Sequence, residues 1–422
     1  MAKNSYIKTS SNDNLYLEGN FKDKNDLFLL VLNIYFILSY ISIFISDIRY
    51  AKYALPIVVS FLVLQNKKNR IVYELEMAKL YLKYFLYFYV ILYLVYFFFQ
   101  GVFGNNLSFR SIANALFVIL PILTVYLLAP LIKVHRIDYY FKYITFLTIG
   151  GYVLEKRESL LNSILEWRQI FSAIEDSSVS SESNLYPFLL SLLLLYSFYY
   201  KIGWKYSLLI LIFVILGFKR IVLLSILVAY CLYKLPFLYR IILSNIKFFS
   251  SLFSLIAVVI ILFYYNIADG QYDDYLFNNF GIYTNAFMQG RQNLYALVIK
   301  ELEKDNLIFG SGVGSVDNIL IQYGNEINNV TNLHSELLRW FLELGIIGYT
   351  IWLFMFFKSV EYSRYIFIMF IFLFILLITD NVMIYFDYMM YYYILSVFSI
   401  LKEKKYSSHE YFSRLQTEQK KY

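Results

Sequence analysis

Apolar runs recur along the chain, near residues 27–46, 53–64, 80–99, 111–132, 140–154, 185–200, 204–217, 221–239, 248–266, 337–357, 362–379 and 385–401. Short polar or basic segments separate them. By run length they predict an all-α, polytopic integral membrane protein with roughly twelve spanning helices. The runs at 53–64 and 140–154 fall short of the ~20 residues that a spanning helix usually needs. If either failed to cross, the topology downstream would invert. The predicted division is a polar N-terminal tail (1–26), a first block of nine helices (27–266), a large loop (267–336), three further helices (337–401) and a C-terminal tail (402–422).

Charge turns the runs into an orientation. With the N-terminus inside, Lys67, Lys68 and Arg70, then Lys133 and Arg136, Lys201 and Lys205, Lys234 and Arg240, Lys358, and the basic C-terminal tail all fall on one side. That asymmetry is the positive-inside pattern. It predicts cytoplasmic termini, with the 267–336 loop between the ninth and tenth helices on the outer side. The polar, mixed-charge stretch up to residue 26 predicts no cleavable signal peptide.

Composition agrees with lipid as the solvent. Of the 422 residues 60% are hydrophobic and only 16% charged, against about 25% charged in soluble domains. The 44 Tyr and 40 Phe suit apolar and interfacial surroundings. A net charge of +7 raises nucleic acid as a partner, but the basic residues form short clusters between apolar runs and no continuous basic face. The single cysteine, Cys231, excludes an intrachain disulfide framework and a Cys-based metal site.

Two outer segments are long. Residues 155–184 predict an interfacial helix, with Leu160, Leu161, Ile164, Leu165 and Trp167 at helical spacing, then a Ser-rich linker. The 267–336 loop carries the candidate chemistry. Gly290-Arg291 opens a helix-like stretch over 292–304, a turn with Gly310, Gly312 and Gly314 follows, and His334-Ser335-Glu336 stands just before an apolar helix that begins Leu337-Leu338-Arg339. His334, at a helix mouth, can act as a base or donate to an anion, and Glu336 is a candidate orienting partner. Arg291 reads either as a solvated loop arginine or as an anion ligand. Lys219-Arg220 lies at an outer helix end, against the positive-inside trend, and reads either as snorkelling or as lining a polar cavity. The glycine turn is either a plain turn or a set of backbone N–H groups offered to phosphate. No convincing metal site emerges: the adjacent Asp273-Asp274 pair and His334/Glu336 lack ligand spacing.

Taken together, the layout resembles the bacterial O-antigen polymerase (Wzy-type) and O-antigen ligase superfamily. The local match is Gly290-Arg291, the Gly310/Gly312/Gly314 turn, and His334 followed by Leu337, Glu343, Gly345 and Gly348. Two positions depart from the family pattern: Ser335 stands where Asn often follows the His, and Phe218-Lys219-Arg220 where a Ser-Arg pair is typical.

The resemblance implies a GT-C-like membrane glycosyltransferase. It would move a glycan from an undecaprenyl-pyrophosphate-linked donor to an acceptor sugar on the outer face of the membrane, with neither nucleotide sugar, metal nor other cofactor. The partners it implies are the lipid-linked donor and acceptor, membrane lipid and a Wzz-type chain-length regulator, with no nucleic acid. Arg291 and Arg220 would then neutralise the leaving pyrophosphate, and His334 would take the acceptor proton or donate to the pyrophosphate. Lys219, Glu336, Arg339, Gly312 and Gly314 are the expected substrate contacts. Polymerisation of repeat units is the favoured activity, for an O-antigen or a capsule. Ligation to lipid A–core is the nearest alternative. A flippase is a third reading, but the apolar runs are almost free of charge and no internal repeat is visible.

Overall fold

The computed structural model describes residues 26–65, 73–102, 109–157, 185–217, 219–281, 283–288, 291–302, 307–323 and 332–419. The expected N-terminal tail, the interfacial helix with its Ser-rich linker, Phe218 and Gly290 fall almost wholly outside these residues. Among the described residues all regular structure is helical. The helices are α1 (Leu27–Phe44), α2 (Leu55–Gln65), α3 (Tyr73–Val102), α4 (Phe109–Leu128), α5 (Ile137–Glu155), α6 (Tyr186–Tyr200), α7 (Trp204–Leu216), α8 (Arg220–Lys234), α9 (Pro236–Ser244), α10 (Ile246–Ala268), α11 (Asp273–Phe280), α12 (Thr284–Phe287), α13 (Gln292–Leu302), α14 (Ser315–Gln322), α15 (Glu336–Lys358), α16 (Arg364–Thr379) and α17 (Phe386–Gln419).

Every apolar run of the sequence coincides with a helix, but not every helix has the length and composition to cross a bilayer. Five do: Leu27–Phe44, Leu75–Phe98, Ser111–Leu131, Ile246–Ala268 and Glu336–Tyr362. A sixth is obtained if α8 and α9, bent by 78° against each other, form one span. The bend falls at Leu235-Pro236, where the proline ring disfavours helical backbone at the residue before it. By its apolar pattern this stretch, 221–239, is one run. Helices α6, α7 and α16 are shorter apolar helices of 15, 13 and 16 residues. Run length counts apolar stretches without regard to what surrounds them, and α6 and α16 are largely wrapped by other helices. Helix α2, with 11 residues, is only about 16 Å long.

Helix α17 occupies the centre. From Phe386 to Leu401 nearly every side chain is buried, Asp387 included. Around it α10 lies along α15, α8 along α16 and α4 along α17. The outward stripe of α3, Leu80, Tyr87, Ile91, Leu94 and Phe98, is exposed, while Tyr81, Phe85, Tyr89 and Leu92 face the bundle. An exposed apolar stripe of that extent suits lipid contact and not water.

Polar links tie the helix ends. At one end Asp26 caps α1 and accepts from Arg136 Nη1 at 3.0 Å and from the Tyr140 hydroxyl at 2.8 Å. At the same end Lys402 pairs with Asp138. At the other end Lys52 pairs with Asp387, and Lys219 with Asp380 at 3.0 Å.

Helix α15 is broken at Gly345, whose φ of 66° and ψ of −178° is a conformation held almost only by glycine. The segment 307–312 fills the break. Ser311 N and Gly312 N donate to the carbonyls of Leu342 and Glu343, both at 3.0 Å, and Ile346 N and Ile347 N donate to those of Leu307 and Ile308 at 2.9 and 3.2 Å. The loop thus satisfies the groups that a helix break orphans. The two backbones meet at glycines: a Cβ on Gly345 would lie 2.3 Å from Gly310 N, and one on Gly310 would lie 2.4 Å from Glu343 O. Gly345→Ala and Gly310→Ala are each expected to cost about 3 kcal/mol or more, from backbone strain plus overpacking. A fall in melting temperature and in folded yield in detergent checks this. A melt within a degree of wild type would show that the clasp yields.

Candidate functional site

The loop after α10 folds back on the bundle through the apolar stripe of α13. Tyr295, Val298, Ile299 and Leu302, at helical spacing, are buried, and α13 packs on α10. That docking sets Arg291, the residue before α13, against the ends of two other helices. Arg291 Nη1 donates to the Thr379 carbonyl at the end of α16 at 2.9 Å and reaches the His334 carbonyl at 3.5 Å. The Tyr295 hydroxyl reaches the same His334 carbonyl at 3.4 Å. His334 has φ +58°, a left-handed backbone uncommon outside glycine. Ser335 follows it as the N-cap of α15, its hydroxyl accepting from Leu338 N at 3.4 Å.

Lys219 enters from the foot of α8. It pairs with the buried Asp380, and its ammonium stands 4.6 Å over the Phe188 ring. Asp380 also accepts from the Tyr385 hydroxyl at 3.4 Å. The cluster therefore joins Lys219, Arg291, His334, Asp380 and Tyr385. Arg220, the first residue of α8, is exposed. Of the adjacent cations, Lys219 is the one the fold turns into the cluster: it stands at the N-cap of α8 with extended backbone, while Arg220 opens the helix itself.

The imidazole of His334 is half-buried. Burial pushes its pKa below the ordinary value, the Arg291 guanidinium and Lys219 push the same way, and Asp380 opposes them. A histidine of ordinary pKa ~6.5 is thereby held neutral at pH 7, able to accept a proton. If neutral His334 is required, activity is lost on acidification with an apparent pKa below that ordinary value. Asp380→Asn removes the opposing charge, so the acid limb of kcat/KM moves to lower pH. An acid limb that stays put or moves upward in that variant would separate Asp380 from His334.

The other expected contacts each hold a protein partner. Glu336 does not orient His334: its Oε1 accepts from Trp340 Nε1 at 3.0 Å, one turn along α15. Arg339 is buried between Asp317 (2.7 Å) and Glu343 (3.3 Å), and Asp317 also accepts from Asn114 of α4. The glycine turn is engaged with α15. Gly312 N–H is spent on the Glu343 carbonyl and Gly314 N–H on the Glu343 carboxylate, and a Cβ on Gly314 would strike Ser111. These glycines form a seam between loop and helix, and the amides expected to cradle phosphate have partners. Among the described residues no three His, Cys, Asp or Glu side chains gather in a group that could hold a metal ion.

Sequence reasoning did not reach Thr379, Asp380, Asn381 and Tyr385. The only trace of them in the sequence is a polar interruption, Thr379-Asp380-Asn381, between two apolar runs, which reads as an ordinary turn.

Among the described residues the protein is all-helical, with five or six helices long and apolar enough to cross a membrane and a cationic, histidine-bearing cluster at one end of the bundle. Residues 206–353 match the family model described as O-antigen ligase, and this bears out the resemblance to the O-antigen polymerase and ligase superfamily. The matched segment runs from α7 through the broken helix α15 and contains Lys219, Arg220, Arg291, His334 and the glycine seam. Neither a curated protein nor a solved structure matches the chain.

Proposed function

We propose that this protein is a polysaccharide polymerase that joins oligosaccharide repeat units carried on undecaprenyl pyrophosphate, by inverting glycosyl transfer at the outer face of the bacterial cytoplasmic membrane. The observation that carries the reading is the gathering of Arg291, on the His334 and Thr379 carbonyls, and Lys219, on Asp380, beside the half-buried His334. A glycosyl pyrophosphate develops negative charge as its anomeric C–O bond breaks, and fixed cations stabilise that charge. The acceptor hydroxyl attacks the anomeric carbon from the opposite face, its oxygen forms the new C–O bond, and its proton passes to the imidazole of His334. The lipid pyrophosphate leaves with the electron pair of the broken bond, against Arg291 and Lys219. No metal ion enters this scheme. The positive-inside pattern supports the outward orientation, with about twelve crossings and both termini in the cytoplasm.

The match to the O-antigen ligase family favours a second reading, in which the same site ligates the finished glycan to lipid A–core. A knockout separates the two. Loss of a polymerase leaves a single repeat on the surface lipid, loss of a ligase leaves none, and full-length glycan in the knockout removes both. Purified protein with a defined undecaprenyl-pyrophosphate oligosaccharide is expected to give a ladder of longer products with inverted anomeric configuration. Failure of any product to appear overturns the polymerase.

A further inference from the structure

The polar break that closes the site also buries atoms whose partners the protein does not supply. Asn381 is fully buried, and neither its Oδ1 nor its Nδ2 has a hydrogen-bond partner among the described residues. Its backbone N–H donates to Asp380 Oδ1 at 3.1 Å. Glu336 is as deeply buried, and its Oε2 is likewise unpartnered while Oε1 holds Trp340. Both residues flank the carbonyls that Arg291 joins. Arg291 reaches the carbonyls of Thr379 and His334, and Asn381 and Glu336 each stand two residues beyond one of those carbonyls. Tyr385 has its hydroxyl on Asp380 and within electrostatic reach of Glu336 and Arg291.

A buried amide or carboxylate oxygen left unpaired is costly, and folded proteins keep such groups where something else completes them. The chemistry of the completing group follows from the three atoms. Glu336 Oε2 and Asn381 Oδ1 ask for donors, and Asn381 Nδ2 asks for an acceptor. An ionised phosphate only accepts, so it would leave Asn381 Oδ1 without a donor. A pair of sugar hydroxyls both donates and accepts.

We propose that Asn381 and Glu336 form a subsite for the hydroxyls of the acceptor sugar, beside the cations that take the donor pyrophosphate. The assignment rests on the glycosyl-transfer reading above and divides its site into a cationic donor half and a neutral-to-acidic acceptor half. Both residues act as positioning residues, orienting the attacking hydroxyl.

The test uses the full-length protein in detergent or nanodiscs, a lipid-pyrophosphate donor, and an acceptor oligosaccharide on a plain alkyl chain, which cannot itself serve as donor. Asn381→Ala and Glu336→Leu are each expected to raise the acceptor KM about tenfold or more, the size of one lost polar contact, with donor KM near wild type. Glu336→Gln keeps one accepting oxygen and is expected to recover part of the loss. Acceptors lacking single hydroxyls sharpen the outcome. The wild-type protein is expected to lose about tenfold on one such deoxy acceptor, and Asn381→Ala to lose little further on it. Should Asn381→Ala not fold, the deoxy series on the wild-type protein decides by itself: indifference to every deletion overturns the proposal. An acceptor KM unchanged in the variants, or a loss that is the same for every acceptor, also overturns it and leaves ordered water as the completing group. Absence of any transfer by the wild-type protein instead overturns the polymerase reading, so the two failures are distinct.

Discussion

Arg291→Ala is expected to abolish chain elongation while the protein still inserts and folds. Its guanidinium ties the loop to the ends of α15 and α16, and its remaining donors carry fixed positive charge beside His334. Removing one preorganised donor from the charge developed in a transition state typically costs about 10²–10³ in kcat. A ladder of glycan lengths from cells carrying the variant should collapse to a single repeat. Arg291→Lys should remain poor, because an ammonium cannot hold the Thr379 carbonyl and also offer a planar fork to phosphate. Lys219→Ala should fall more steeply than Arg220→Ala, since Lys219 faces Asp380 and Arg220 is exposed. Wild-type chain length in Arg291→Ala, at normal protein level, removes Arg291 from the site.

Much of this arrangement was legible in the sequence. The apolar runs marked the helices, and the long gap between two of them put Arg291 and His334 in one loop. What remained hidden depended on tertiary contact. Lys219 and Arg220 are neighbours with equal charge, and only the docking of α8 against Asp380 decides which one turns inward. Asp380 lies far from His334 along the chain, in a polar break that looks like any turn. Gly345 sits in an apolar stretch whose pattern reads as uninterrupted helix, and its break becomes visible only with Gly310 packed against it. The same packing explains why the glycine turn that suggested a phosphate cradle serves as a seam: its amides are used by α15.

The fate of Arg339 separates a structural from a binding role most sharply. Arg339→Leu is expected to destabilise the protein by about 3–5 kcal/mol, because it leaves Asp317 and Glu343 buried with no counter-charge. Against a typical folding margin of about 5–15 kcal/mol, that loss should lower the melting temperature markedly in detergent and cut the folded yield, whereas Arg291→Ala should melt near wild type. The damage should also be reversible by chemistry. Replacing Asp317 by Asn and Glu343 by Gln alongside Arg339→Met removes the stranded charges, and swapping a whole buried ion network for neutral groups is often close to neutral for stability. If the triple variant melts near wild type and still elongates glycan, Arg339 serves to lock α14 and α4 onto α15, and the substrate does not touch it. If Arg339→Leu melts normally yet makes no polymer, the guanidinium belongs to the substrate site after all, and the Asp317 and Glu343 pairs are its resting partners.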